Sequence, residues 1–354
     1  MVGLGSTTLT GTQIPEPNET RKTLRLATID VGTNTALMLV SEWVDGRLAV
    51  YHDTGHYVRL GQGVDASGRI SDAALERLER AFEDFARQAA EFGAEHIIVT
   101  GTSASRDAAN PEDLDRTARA ALGVEYTILS GLDEAEVSFM GAVAGIKRLE
   151  ADLEETHAER LFRSDVTHRA TIIDVGGGST EVVQGTVLGS SSGYDVHIER
   201  SVSMNIGSVR MTERHFDGLP PSLSARAKAE TWLSDMLEEH LAGFHPTDLC
   251  IGSSGTPRIL AHLHTGVENL MDVAAGCPKI PSSALADWSE RLLALPEEEV
   301  LALDARRMKG RSDVFPAAAL ILRRVFERVG TEALAVSSQG VRHGVAIRYF
   351  QQIP

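Results

Sequence analysis

The chain has 354 residues, of which 42% are hydrophobic and 24% charged, as in an ordinary globular protein. Because one hydrophobic core rarely serves a chain of this length, two domains are predicted. The formal net charge of −16 argues against nucleic-acid binding, which usually shows as a basic surface. The two cysteines, Cys250 and Cys277, lie far apart and indicate neither a disulfide framework nor a zinc site.

The beginning of the chain carries no targeting pattern. Residues 1–24 are polar and rich in Gly, Thr and Pro, and they lack the basic start and apolar core of a signal peptide. No apolar run in the sequence reaches the roughly 18 residues of a membrane-spanning helix. We therefore expect a flexible leader and a cytoplasmic protein without membrane contact.

The first half of the chain predicts an α/β domain. Residues 24–40 read as strand, tight turn and strand, residues 43–50 as a hairpin partner around Asp45-Gly46, and residues 57–60 as a third strand. Ser71 is a candidate N-cap for an amphipathic helix that ends at Gly93. Further elements are predicted as a strand at 96–100, a helix at 111–122, a strand at 126–129 and a helix at 134–149. This alternation predicts parallel pairing.

The second half of the chain repeats the opening order of predicted elements, after a charged, helix-prone bridge at residues 150–168. The predicted strands and helices are strands 170–175, 180–184 and 194–202, a helix at 222–241, a strand ending at 251, a helix entered at Pro257, helices at 297–304 and 316–329, a strand at 333–336 and a last helix from Val341. The repetition predicts two lobes with a cleft between them.

A duplicated motif opens both halves. Residues 27–34 and residues 171–180 are each an apolar strand that ends in an aspartate, Asp30 or Asp174, followed by small residues. Two such aspartates could hold Mg²⁺, which favours oxygen ligands. The glycine loop at residues 176–180 lets backbone N–H groups and hydroxyls approach an anion closely. Glu181, just beyond it, could join the metal site or point to solvent.

Three further loops follow predicted strands, where α/β proteins place ligand sites. Residues 100–107 combine hydroxyls with Arg106, which suits phosphate recognition. Residues 130–136 are acidic and could supply a base, although spacing alone does not prefer Glu134 over its acidic neighbours at 133 and 136. Residues 250–257 form a strand, a glycine turn and a helix start, a geometry that binds anions.

Other patterns carry less information. The sequence has no P-loop, no dinucleotide-binding glycine motif and no GxSxG nucleophile motif. The basic residues between 306 and 311 are most simply interpreted as a solvated helix end.

Taken together, these blocks resemble the exopolyphosphatase and guanosine pentaphosphate phosphohydrolase family of the actin, hexokinase and Hsp70-like superfamily. The matching blocks occur in the family's order, at residues 29–34, 102–106, 130–135, 173–181, 206–210, 252–256, 310–314 and 340–344. The resemblance implies an α/β fold of two ribonuclease-H-like lobes with the active site in the interdomain cleft. We expect a leader at 1–24, lobes at 25–145 and 146–354, and a last helix that packs back on the first lobe.

The resemblance also implies roles for individual residues. Glu134 would be the base that activates water, and Asp30, Asp174 and Glu181 would place Mg²⁺ or another divalent cation. The expected phosphate-binding residues are Gly32, Thr33, Asn34, Thr102, Arg106, Gly176, Gly177, Gly178, Ser179, Gly207, Ser208, Ser254 and Gly255. The implied reaction removes the terminal phosphate of inorganic polyphosphate by in-line attack of water, without a covalent intermediate.

Alternative functions stay open at this point. Hydrolysis of guanosine pentaphosphate would use the same fold and residues, and an actin-like ATP-binding protein or a non-catalytic polyphosphate-binding protein are more distant alternatives. The chain resembles the short, two-domain form of the family, so the high processivity of longer members is not expected. A homodimer is the family-based expectation for its assembly.

Overall fold

A computed structural model describes residues 24–151, 167–189, 194–267 and 277–353. The predicted leader, apart from Leu24, and most of the predicted bridge at 150–168 lie outside the described residues. None of the helices in the described ranges is long and apolar enough to cross a membrane.

Two β-sheets form the framework. The strands of the first sheet are β1 (Arg25–Val31), β2 (Thr35–Val44), β3 (Arg47–Tyr57), β4 (His96–Gly101) and β5 (Tyr126–Ile128). The strands of the second sheet are β6 (Thr167–Val175), β7 (Thr180–Gly189), β8 (Tyr194–Met204), β9 (Leu249–Ser253), β10 (Lys279–Pro281) and β11 (Ala333–Val336).

The two sheets share one topology. The first has the order β3-β2-β1-β4-β5, and the second has the order β8-β7-β6-β9-β11 with β10 added at its edge. In both, the first three strands form antiparallel hairpins, and the remaining shared strands run parallel to the first. This is the ribonuclease-H-like order, so the predicted α/β fold class is confirmed.

The helices occupy the segments between and after the strands. They are α1 (Val64–Ser67), α2 (Asp72–Glu91), α3 (Ser103–Asp107), α4 (Pro111–Leu122), α5 (Gly131–Ala151), α6 (Ser208–His215), α7 (Leu223–His240), α8 (Gly255–Thr265), α9 (Ser282–Leu293), α10 (Glu297–Leu303), α11 (Ala305–Met308), α12 (Phe315–Val329) and α13 (Val341–Gln352). The predicted N-cap is confirmed, because the Ser71 side chain accepts a hydrogen bond from the Ala74 N–H.

Several short elements differ from the sequence prediction. The predicted third strand at 57–60 is wrong, because β3 already ends at Tyr57 after the Asp45-Gly46 turn. Helices α1, α3, α6, α9 and α11 and strand β10 were not predicted. Most of them are too short to show a clear hydrophobic period, which explains why the pattern does not reveal them.

The helices α5 and α13 cross over between the sheets. The apolar face of α5, including Phe139 and Ile146, packs against residues of the second sheet, although the sequence places residues 131–145 in the first lobe. In exchange, Phe350 of α13 packs against Leu26 and Leu39 of the first sheet. Each helix therefore ties one half of the chain to the other half's sheet. The lobe boundaries at 24 and 145 stay predictions.

The two crossing helices touch each other backbone to backbone. A Cβ atom on Gly344 of α13 would lie 1.8 Å from the carbonyl oxygen of Val137 in α5. A Cβ atom on Gly141 of α5 would lie 2.1 Å from the carbonyl oxygen of Gly340. Glycine at these positions therefore sets the distance between the two helices.

We expect Gly344→Ala to destabilise the fold, because the added methyl group meets backbone that cannot rotate away. Overpacking of this kind lowers the free energy of unfolding by about 1–3 kcal/mol. Urea denaturation of the purified variant measures this loss, with Gln351→Ala on the exposed face of the same helix as the control. Equal stability of Gly344→Ala and wild type would contradict the backbone contact.

Candidate active site

An open cleft lies where the carboxyl ends of central strands from both sheets meet. It is lined by most of the residues that the sequence singled out. They are Asp30, Gly32, Thr33, Asn34, Thr102, Glu134, Asp174, Gly176, Gly177, Gly178, Ser179, Glu181, Ser208, Ser254 and Gly255. The cleft thus collects residues that lie more than two hundred positions apart in the chain.

The two aspartate loops have the same backbone geometry. The N–H of Gly32 donates to the carbonyl oxygen of Thr35 at 2.9 Å, and the N–H of Gly176 donates to that of Ser179 at 2.9 Å. The loops also approach each other, since a Cβ atom on Gly178 would lie 2.7 Å from Thr33 Oγ1. The repeat in sequence is therefore a repeat in structure, and glycine allows the two copies to meet.

Two of the predicted phosphate-binding residues do not line the cleft. Arg106 lies beside Glu134, where its Nη1 donates to Glu134 Oε2 at 2.6 Å and to the Leu129 carbonyl oxygen at 3.1 Å. Gly207 lies against Gly177, and the carbonyl oxygen of Gly177 accepts a hydrogen bond from the Val209 N–H. In this structure Arg106 holds the carboxylate of Glu134, and Gly207 supports the glycine loop.

The geometry separates Glu134 from its acidic neighbours. The side chain of Glu134 is 8% exposed, whereas those of Asp133 and Glu136 are 52% and 51% exposed. Asp133 accepts a hydrogen bond from Ser130 at the helix start, as an ordinary capping interaction. Glu134 is therefore the acidic residue of this segment that faces the cleft.

Burial and mutual repulsion raise the pKa values of three carboxyl groups in the cleft. Burial, with the Glu134 charge, raises the pKa of Asp30 to about 8. Burial raises the pKa of Glu134 to about 7, although Arg106 opposes the shift. Burial and the charges of Glu134 and Asp174 raise the pKa of Glu181 well above its ordinary value.

Two serines that the sequence did not single out position the other carboxylates. Ser138 Oγ donates to Asp174 Oδ2 at 2.7 Å, and it lies one helical turn after Glu134 on α5. Ser203 Oγ donates to Glu181 Oε1 at 2.7 Å, and it is the cross-strand partner of Glu181 in the β7–β8 hairpin. Ser138 could have been predicted as a site residue, because it follows Glu134 by four positions and so lies on the same face of α5. Ser203 could not, because the sequence does not show which residue of β8 pairs with Glu181 of β7.

Three arginines that the sequence did not assign to the site also line the cleft, and for one of them, Arg311, the interpretation as part of a solvated helix end is wrong. They are Arg258, Arg311 and Arg342. Arg342 Nη2 donates to both carboxylate oxygens of Asp53, at 2.9 and 2.8 Å. Arg311 Nε donates to the Tyr57 hydroxyl at 3.1 Å.

Ion pairs join the two halves of the chain. Arg210 contacts Asp65 and Asp107 and donates from Nε to the Gly178 carbonyl oxygen at 3.0 Å. Arg59 pairs with Asp313 at 3.0 Å. The glycine loop is therefore held by the same arginine that links the two halves.

A divalent cation fits the chemistry of the carboxylate group. The described residues contain no set of three or more His, Cys, Asp or Glu side chains arranged to hold a metal ion by themselves. Asp30 Oδ1 is nevertheless buried and accepts no hydrogen bond within the described ranges. Because Mg²⁺ usually binds through one or two carboxylates together with water and substrate phosphates, a complete protein cage is not required.

The two matched sheets and their shared acidic cleft define a two-lobed α/β protein of the ribonuclease-H-like class. The model of the Ppx/GppA phosphatase family matches residues 39–153 and 158–352, and the chain belongs to this family.

Known proteins resemble the chain over most of its length. Exopolyphosphatase 2 of Mycobacterium tuberculosis is 30% identical over 339 residues, covering 91% of this chain and 98% of that protein. The crystal structure of an exopolyphosphatase-like protein aligns with a TM-score of 0.77 at 27% identity, covering 93% of this chain and 98% of that one. An exopolyphosphatase from Cytophaga hutchinsonii aligns with a TM-score of 0.76 at 23% identity, covering 93% and 99%.

The raised pKa of Asp30 predicts a pH-dependent stability in the absence of metal. Between about pH 4 and pH 8 the folded state keeps a proton that the unfolded state has released, so the free energy of unfolding falls as pH rises. Asp30→Asn removes this group. In EDTA we expect the variant to gain stability over wild type by up to a few kcal/mol as pH rises to about 8.

Thermal unfolding across this pH range measures the difference, with the exposed Asp287→Asn as the control. A constant difference between Asp30→Asn and wild type at all pH values would contradict the buried, protonated state of Asp30.

Proposed function

We propose that the protein is an exopolyphosphatase that releases terminal orthophosphate from inorganic polyphosphate. The observation that carries the proposal is a buried carboxylate, Glu134, held by Arg106 in a cleft between two matched loops of the kind that binds phosphate. The family membership and the name of the Mycobacterium tuberculosis relative support it.

In the proposed reaction, Glu134 acts as a general base on water. The water oxygen forms a bond to the terminal phosphorus as the bond from that phosphorus to the bridging oxygen breaks, and Glu134 accepts the proton. A carboxyl group with a pKa near 7 suits this role, because it is ionised in part at neutral pH and still basic enough to accept a proton. Arg106 favours the ionised form of the carboxylate and holds it by a hydrogen bond.

The loops at 32–34 and 176–179 would hold the terminal phosphoryl group, since their backbone and hydroxyls line the cleft. Asp30 and Asp174, with Glu181 nearby, would hold Mg²⁺ together with the phosphate oxygens. When bound, such an ion neutralises charge that develops on the phosphoryl oxygens. Ser138 and Ser203 keep two of these carboxylates in place.

The other candidate substrates use the same residues. Guanosine pentaphosphate therefore belongs in the same phosphate-release assay as polyphosphates of defined length, and no release from any polyphosphate would refute the proposal. Tight ATP binding without polyphosphate turnover would instead support an ATP-binding protein. A cytoplasmic homodimer completes the proposal, and light scattering of the purified protein measures its oligomeric state.

Glu134→Gln tests the assignment of the base. The amide keeps the shape of the side chain but cannot accept the proton, so we expect turnover to fall by about 10²–10⁴-fold. Polyphosphate binding, measured by calorimetry, should be retained.

The neighbouring acidic residues supply matched controls. Asp133→Asn and Glu136→Gln change exposed carboxylates of the same helical turn, and we expect both variants to keep turnover close to wild type. An unchanged rate in Glu134→Gln, or an equal loss in all three variants, would contradict the assignment.

The pH dependence of turnover provides a second test of the same residue. Because the base must be ionised, the rate should rise with pH through about 7 and then level off. Arg106→Gln removes the cation that lowers the pKa of Glu134, so its rising limb should shift to higher pH. The comparison with wild type cancels the ionisation of the substrate itself. A profile of Arg106→Gln that overlays the wild-type profile would refute this coupling.

A further inference from the structure

One cleft-lining cation has no partner among the residues that the structure describes. Arg258 is half-buried one turn into α8, and within the described ranges it makes no hydrogen bond and no ion pair. Most arginines of the described surface are paired, as Arg226 is with Glu290 and Arg323 with Glu327. A partly desolvated guanidinium without an anion is unfavourable, so a negatively charged ligand would stabilise this site.

Arg311 adds a second cation to the same wall. Its guanidinium lies over the start of α8, where a Cβ atom on Gly255 would lie 2.3 Å from Arg311 Nη1. Its hydrogen-bond partner is the neutral Tyr57 hydroxyl, and the centre of the Tyr57 ring lies 5.3 Å from the guanidinium carbon. Arg258 and Arg311 therefore both line the cleft, and no carboxylate of the described residues pairs with either of them.

The surrounding charges reinforce this picture. Burial and the nearby cations of Arg342, Arg311 and Arg307 lower the pKa of Arg258, and Asp53 is the acidic group that opposes the shift. Asp53 is already engaged by Arg342. An oxyanion between Arg258 and Arg311 would offset the repulsion among these arginines.

This cationic wall is separate from the catalytic carboxylates. Glu134 lies on α5 beside Arg106, and Asp174 lies at the end of β6. Arg258 lies on α8 and Arg311 lies shortly before α12, while Arg342 of α13 pairs with Asp53. The cleft therefore has an acidic part that holds Glu134 and a basic part that holds Arg258.

We propose that Arg258 and Arg311 form a second oxyanion subsite, which binds a phosphoryl group of the polyphosphate chain behind the one that is cleaved. The proposal rests on the exopolyphosphatase function proposed above. It assigns Arg258 to substrate binding, because guanidinium groups bind phosphate oxygens through two donors at once. A free orthophosphate ion has the same chemistry and is the alternative source of the oxyanion.

Steady-state kinetics on a long polyphosphate of defined length tests the subsite. We expect Arg258→Met to raise KM by about ten-fold or more, the loss of a charge-assisted hydrogen bond, with kcat changed less than about two-fold. Arg258→Lys should restore part of the affinity. Arg324→Met removes a paired arginine of α12 and should leave both constants unchanged.

The pairing with Arg311 predicts a non-additive double variant. If both side chains bind one phosphoryl group, Arg258→Met and Arg311→Met together should raise KM by less than the product of the single effects. Fully multiplicative effects would overturn the shared subsite. An unchanged KM in Arg258→Met, or a fall in kcat alone, would overturn the assignment of Arg258 to substrate binding.

Orthophosphate inhibition separates the two sources of the oxyanion. Loss of inhibition in Arg258→Met with an unchanged KM for the chain would overturn the assignment to the chain. Calorimetry on Glu134→Gln with and without Arg258→Met reads binding without turnover. If the wild-type protein releases no phosphate but polyphosphate affinity depends on Arg258, the proposed hydrolysis is refuted and the subsite stands. If the wild-type protein releases phosphate and the affinity does not depend on Arg258, the subsite alone is refuted.

Discussion

Crowding of carboxylates in one buried cleft is the constraint on which this structure depends. Asp30, Glu134, Asp174 and Glu181 come from both halves of the chain, and burial with mutual repulsion raises the pKa of several of them. Such a group persists only where the surrounding structure fixes each carboxylate. Arg106, Ser138 and Ser203 do this with one hydrogen bond each. Among the described residues, Asp30 Oδ1 is left buried without a hydrogen-bond partner.

The scaffold around the cleft keeps these groups together. Strands β1 and β6 end in the two aspartate loops, and their continuous apolar character buries them at the centre of their sheets. Helix α5 packs on the second sheet and helix α13 packs on the first. The two helices approach each other closely at Gly141 and Gly344, so backbone contact sets the distance between the two halves. Arg210 adds a polar link that reaches the carbonyl oxygen of Gly178. The position of the glycine loop at 176–179 therefore depends on how the two halves are held.

The sequence predicted the parts of the site that local pattern encodes. Apolar strands that end in Asp30 and Asp174 identified both loops, and a serine N-cap identified α2. It could not show that Arg106 supports Glu134, because the two residues lie on different helices, α3 and α5, and only the folded structure brings their side chains together. The packing of α5 on the second sheet was likewise hidden, since an apolar helical face does not state which sheet it covers. Ser203 depended on hairpin register, which the sequence left undetermined.

The acidic composition also takes on a different meaning in the structure. A net charge of −16 disfavours a polyanion unless cations are concentrated where it binds. Over the described surface, arginines such as Arg119 are neutralised by nearby carboxylates. Within the basic stretch, Arg306 and Lys309 are exposed as the sequence suggested, but Arg311 lines the cleft, as Arg258 does. Because low-dielectric walls strengthen the field of such unpaired charges, a protein that is acidic overall can present a basic path to phosphate in its cleft.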